Sequence, residues 1–259
     1  MQDTSKSPDA AMAFSTAERT SLYRTIFSRR DVRSQFRPDP IPDDVLGRVL
    51  LAAHHAPSVG FMQPWNFIVI RGEAKKRQIQ ALFTEANEEA ARQFDDERAA
   101  AYRKLKLAGI LDAPVNLCIT CNHDRAGPVV LGRTHVKETD LYSTVCAVQN
   151  LWLAARAEGI GIGWVSILDT SALKAALGLP DHVTPVAYLC VGYVTEFLDR
   201  PELQAKGWEK RLPLDELIMF EQWQGNKEGD PLLEAVREAQ ARLAEDYLAV
   251  VPDGKTETG

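Results

Sequence analysis

Residues 158–168 read EGIGIGWVSIL, and whether these glycines open a helix or a strand decides the fold. Glycines at alternate positions invite a dinucleotide-binding loop, but that fingerprint follows a strand and opens a helix. Here the order is reversed. The residues before it, ETDLYSTVCAVQNLWLAARAEG (138–159), are apolar on nearly all sides through Val145, Ala147, Val148, Leu151, Trp152 and Ala155. They predict a long helix at the centre of the core or of a subunit interface. Gly159 then reads as its left-handed stop, and Gly161 and Gly163 belong to a strand that a backbone or a flat ligand approaches closely.

Outward from that point, TPVAYLCVGYV (184–194) predicts a further strand, with a short helix SALKAALGL (171–179) between the two. Upstream, WNFIVIRG (65–72) and APVNLCITC (113–121) read as strands, and APSVGFMQPW (56–65) as a loop. STAERTSLYRTIFSRR (15–30) carries a capping box, Ser15 with Glu18, and predicts a helix ending near Arg29 or Arg30. RPDPIP (37–42) breaks it, and a second helix over about 43–54 turns Val45, Leu46, Val49, Leu50 and Ala53 to one face. Residues 73 to about 106 are rich in Ala, Glu, Lys and Arg and predict exposed helix, a candidate lid over 73–108. Strands and helices intermix without a βαβ rhythm, so the fold class is α+β, with a central mixed or antiparallel sheet flanked by helices.

A C-terminal helix within 221–252 shows a stripe of Leu232, Val236, Ala239, Leu243 and Tyr247, suited to a partner subunit. Residues 1–14 and 253–259 read as disordered ends around a main domain over 15–220. The 259 residues hold 30 basic and 36 acidic side chains, a net charge of -6, which gives no footprint for nucleic acid. No apolar run is long enough to span a membrane, and the start lacks a secretory pattern, so a cytoplasmic protein is expected. Cys118, Cys121, Cys146 and Cys190 are too scattered for a disulfide scaffold; Cys118 and Cys121 lie in a strand, on opposite faces, and read as packing thiols. The five histidines show no ligand spacing, and no metal is assigned. His135 and Arg133 in GRTH stand near enough to reach a site.

Against that acidic background SRRDVRSQF (28–36) crowds Arg29, Arg30 and Arg33 around Asp31. A helical or turn backbone puts Arg29 and Arg33 on one side, and arginines at that spacing suit a phosphate. A solvated basic helix end is the plainer alternative. Taken with APSVGFMQPWNFIVI, GIGIGWVSIL, GLPDHVTPVAYLCVGY and KRLPLDEL in this order, the segment resembles the nitroreductase-like flavoprotein superfamily across about 18–220. RRDVRSQF, GWVSI and AGPVVLGRTH make it most similar to the flavin-fragmenting BluB type within it.

That resemblance implies an intertwined homodimer binding FMN. It puts Arg29, Arg30 and Arg33 at the phosphate and ribityl end, joined by Arg211 or by its neighbour Lys210. Pro57, Ser58, Val59, Gln63 and Asn66 lie along the isoalloxazine ring, with Gly163, Trp164 and Val165 at its other edge. Asp31 and Ser166 are the implied functional pair. In this type reduced FMN is the substrate, cut with O2 to 5,6-dimethylbenzimidazole and erythrose 4-phosphate, and NAD(P)H acts indirectly through a separate flavin reductase. Asp31, flanked by arginines, is expected to stay ionised and to serve as a base. The alternative enzyme is an NAD(P)H-dependent nitroreductase or flavin reductase that leaves its FMN intact; a third reading is a flavin carrier with Asp31 as scaffold.

Overall fold

The computed structural model describes residues 13–227 and 229–248. The expected disorder of 1–12 and of 253–259, and the last residues of the C-terminal extension, lie outside them. The chain divides into two compact units, Arg29–Asp199 and a second built from the segments before and after it. Within the second unit, α1 (Thr16–Ser28) opens on the expected capping box: Ser15 N donates to Glu18 Oε2 at 2.8 Å and Glu18 N to Ser15 Oγ at 3.3 Å. Tyr23 stacks on Phe27, and Tyr247 meets both rings edge-on.

The larger unit is built on four antiparallel strands. They are β1 (Trp65–Ile70), β2 (Val115–Asn122), β3 (Ile160–Val165) and β4 (Val183–Tyr193), in the order β1-β2-β4-β3. Side chains alternate across this sheet. Val115, Leu117, Ile119, Ile162, Leu189 and Val191 face one core, against α2 (Asp43–His54) and α5 (Thr139–Ala157). Cys118, Val165, Tyr188 and Cys190 face the other, against α3 (Glu73–Ala91) and α6 (Thr170–Leu177). The strands read as near-continuous apolar runs because both faces are covered.

Cys118 and Cys121 fall on opposite sides of β2, and burial pushes their thiols up to about 12 and about 11. The expected stripe of α2 buries Leu46, Val49 and Ala53. Gly159 stops α5 at φ +75°.

Two elements differ from the sequence reading. The segment from 73 to about 106 is two helices, because Asp95 caps α4 (Asp96–Arg103) by accepting from Arg98 N at 2.9 Å. Moreover α3 is a core layer rather than an exposed cover: Ile79 is fully buried, and Lys76 is buried with its Nζ donating to Ala113 O at 2.8 Å. In the second unit α7 (Glu202–Ala205), α8 (Leu214–Leu217) and α9 (Pro231–Leu243) follow. The inward residue of α9 is Leu233, whereas Leu232, expected in the stripe, is half exposed; Asp230 caps the helix at Leu232 N and sets its phase.

Candidate active site

Residues 29–37 are not helical: they run beside the sheet with a bend at Arg33 and Ser34. Val32 N donates to Ile162 O at 2.9 Å, Asp31 and Ile162 form a parallel bridge, and Phe36 bridges Val194. This strip lies along β3, and Gly163 makes the room: a Cβ there would stand 2.0 Å from Val32 O. The close approach foreseen for Gly163 is therefore that of backbone, whereas at Gly161 it is that of side chains, with Val194 Cγ1 and Val32 Cγ2 standing 2.5 and 2.9 Å from where a Cβ would be.

Asp31 is the centre of the strip. Its Oδ1 accepts from Trp164 N at 2.9 Å and its Oδ2 pairs with Arg33 Nη2 at 2.8 Å. Burial lifts its carboxyl above the ordinary aspartate range and outweighs Arg33, the Trp164 amide and Arg29, which pull it down. The shift runs opposite to the one the arginines alone imply, since desolvation disfavours the charged form. A carboxylate so placed is a stronger base than a surface aspartate.

The three arginines part company. Arg33 is largely buried beside Asp31, and its buried Nε has no partner among the described residues, a donor from which an anionic ligand can accept. Arg29 lies over the Trp152 ring, 4.9 Å from its centroid. Arg30 sends Nε to Leu198 O at 2.9 Å and Nη2 to Asp199 O, so its guanidinium ties the strip to the chain beyond β4. Arg211 and Lys210 are exposed in the connection between α7 and α8 of the other unit.

Trp164 and Val165 lead into Ser166, which is exposed just past β3 on the rim of a concavity of about 240 Å³ shared with Thr170, Pro185 and Tyr188. The loop over 57–63 is ordered from within. Ser58 Oγ accepts from Gln63 N at 3.1 Å, Val59 N donates to Ser143 Oγ at 3.0 Å, and Phe61 and Gln63 take φ of +54° and +48°. Such left-handed backbone costs about 1–3 kcal/mol per residue and is kept where the surroundings impose it. Pro57 opens the loop, and Asn66 stands beyond it on β1, bonded to Thr120 and Arg125.

Sequence reasoning missed a cluster under this loop. Cys121, His123 and Asp140 bring donor atoms within 4.8 Å of one another. His123 Nδ1 meets Asp140 Oδ2 at 2.8 Å, its Nε2 meets Thr184 Oγ1 at 2.9 Å, and Arg133 Nε stands 3.5 Å from the same carboxylate oxygen. A guanidinium against that carboxylate opposes a second cation, so the cluster acts as a hydrogen-bonded anchor. Arg133 of GRTH goes here, while His135 is exposed beside Thr134. The signal lay in three polar residues on otherwise apolar elements, but their pairing is long-range.

Three comparisons bear on the arrangement. The nitroreductase family model matches residues 26–193. A 5,6-dimethylbenzimidazole synthase of Rhodospirillum rubrum is 44% identical over 185 residues, 71% of this chain and 87% of that protein. Among solved structures, a BluB-like flavoprotein from Clostridium difficile 630 superposes with a TM-score of 0.59 at 21% identity, covering 78% of this chain and 99% of that one. Iodotyrosine deiodinase bound to FMN and 3-iodo-L-tyrosine gives 0.58 at 21% identity, over 69% of this chain and 92% of that one.

Proposed function

The chain belongs to the nitroreductase family, and from that premise we propose that it is a 5,6-dimethylbenzimidazole synthase that takes reduced FMN as its substrate and consumes it with O2. The observation that carries this reading is the half-buried carboxylate of Asp31, held between Trp164 N–H and Arg33 and shifted toward neutrality. Cutting the ring system requires proton transfers at the ring and ribityl carbons, which a carboxylate held there can make.

The residues fit an anionic, flat ligand. Arg33 offers a buried unpaired Nε, Arg29 a guanidinium on an aromatic face, and Trp164 and Val165 an apolar wall. We assign the phosphate to Arg29, Arg30 and Arg33, with Arg30 giving up a carbonyl partner to reach it. Pro57, Ser58, Val59, Gln63 and Asn66 line one side of the ring and Trp164 and Val165 the other, while Gly163, expected there too, is covered by Val32 O and serves by admitting the Asp31 strip. When bound, reduced flavin supplies the electrons for O2 and the ring system that is cut.

Asp31 takes and returns a proton at Oδ2, whose partner Arg33 holds the carboxylate in place while it is charged. Ser166 Oγ, free to donate and accept, orients the same ring edge. The Trp164 amide holds Oδ1 and Arg33 holds Oδ2, so the plane of the carboxylate is fixed.

The concavity at Ser166 is smaller than the roughly 300–1,000 Å³ of a complete ligand pocket. We infer that a second copy closes it, making a homodimer through the exposed Tyr142 and Val145 of α5. No helix among the described residues is long and apolar enough to cross a membrane, and we place the enzyme in the cytoplasm, with α4 and its connections as the cover and NAD(P)H acting through a separate reductase. To test the function, purified protein is mixed with FMN, a chemical or enzymatic reductant and air, and the products are separated. Dimethylbenzimidazole is expected; full recovery of FMN refutes it and favours the intact-flavin nitroreductase.

A further inference from the structure

β2 ends at Asn122 and the chain turns back at once. Asp124 N donates to Asn122 Oδ1 at 3.0 Å and Gly127 N to Asp124 O at 3.1 Å, with Ala126 and Gly127 at φ +66° and +85°. This turn is pinned on three sides. Asn122 N donates to Pro64 O at 2.8 Å, just ahead of β1. Arg133 Nη1, past the turn, donates to His123 O at 2.7 Å and its Nε faces Asp140. Between them the chain packs on the loop over 57–63 so closely that a Cβ on Gly60 would stand 2.6 Å from Val130 Cγ1.

What the turn presents is Arg125, whose Nη2 donates to Asn66 Oδ1. A guanidinium carries donors alone, so the amide atom that faces it is the oxygen. Flipping Asn66 would set N–H against N–H. The amide nitrogen is thereby turned to Thr120 Oγ1, at 3.3 Å. A free asparagine reads donors and acceptors alike; this one has its acceptor engaged, and of its two N–H groups one meets Thr120 and the other remains for a ligand.

We propose that Arg125 is a positioning residue of the flavin site. Acting through Asn66, it sets a fixed N–H donor, backed by a positive charge, toward the acceptor edge of the pyrimidine ring and so favours reduced over oxidised FMN. The inference rests on the flavin reading above. The reduced ring is the more electron-rich, and a donor polarised by a cation in a partly buried setting strengthens with the charge it faces.

The test compares wild type with Arg125→Met, Arg125→Gln, Arg125→Lys, Asn66→Ala and the Arg125→Met/Asn66→Ala pair. Anaerobic titrations give Kd for oxidised and reduced FMN, and the midpoint potential of bound flavin is measured. Arg125→Met should weaken reduced FMN about tenfold more than oxidised, which moves a two-electron potential about 30 mV more negative. Arg125→Lys, keeping charge and donor, should restore most of it. Arg125→Gln, which keeps a donor without the charge, should also lose the preference and stands in if the methionine variant does not fold. In the Asn66→Ala background, Arg125→Met should add nothing. Equal weakening of both forms, an unchanged potential, or additivity in the double variant overturns the proposal. Wild type that binds FMN while Arg125→Met and Arg125→Gln match it overturns this inference alone; wild type that binds neither form overturns the flavin reading and this with it.

Discussion

The two edges of the sheet hold their polar groups in opposite ways. Along β3, Asp31 is titratable, desolvated and gripped by one backbone amide and one guanidinium, so its charge state is poised to change. On β1, Asn66 does not titrate at all, and Arg125 and Thr120 hold its amide in one orientation. An arginine serves in each place, yet Arg33 tunes a proton acceptor and Arg125 fixes a hydrogen-bond donor. The difference separates moving a proton from recognising a ring.

Four substitutions press on that separation. Gly163→Val should do most damage, since its side chain would occupy the place of Val32 O; the strip is pushed off β3, with a stability loss of about 3 kcal/mol in denaturant melts and loss of both FMN binding and turnover. Arg33→Met should weaken FMN about tenfold in a fluorescence titration, the scale of one lost charge-assisted contact. It should also move the acid limb of the rate profile to higher pH. The sign follows from Arg33 holding the Asp31 carboxyl down: without it burial acts unopposed by that charge, and the base is protonated at higher pH.

Asn66→Ala should cost a smaller factor, about fivefold in Kd, and leave the acid limb where it is. A shift of that limb would merge the two regions. The smallest effect concerns stability. Asp31 has a higher pKa folded than unfolded, so its ionised form subtracts stability as pH rises through that range. Asp31→Asn, which keeps an acceptor for Trp164 N, should therefore melt at or slightly above wild type at neutral pH. The advantage should vanish below the ordinary aspartate range, and a lower melting temperature at neutral pH would mark Asp31 as scaffold.

Much of this was readable from local pattern. The capping box of α1, the stripe of α2, the apolar strands and the stop at Gly159 follow from spacing over a few residues. The break before α4 was missed, although Asp95 stands three residues ahead of the amide it caps. What the sequence withheld depends on distant partners. The strip leaves the helix at Arg29 and runs beside β3 because Ile162 O takes the hydrogen bond of Val32 N, whereas the four-residue spacing of Arg29 and Arg33 suggested a helix or turn instead. The arginines around Asp31 suggested a lowered pKa because charge is visible in a sequence and desolvation is not. Arg125 meets Asn66 across 59 positions, and His123 meets Asp140 only where β2 ends against α5.

The central claim is that Asp31 serves the destruction of the flavin and not its binding. One equivalent of FMN is bound anaerobically to wild type and to Asp31→Asn, reduced, and exposed to air while flavin absorbance and dimethylbenzimidazole are followed. Wild type should return less oxidised flavin than was loaded, the deficit appearing as dimethylbenzimidazole, and Asp31→Asn should return all of it. Dimethylbenzimidazole from the variant at the wild-type yield, or complete flavin recovery from both proteins, would contradict the account.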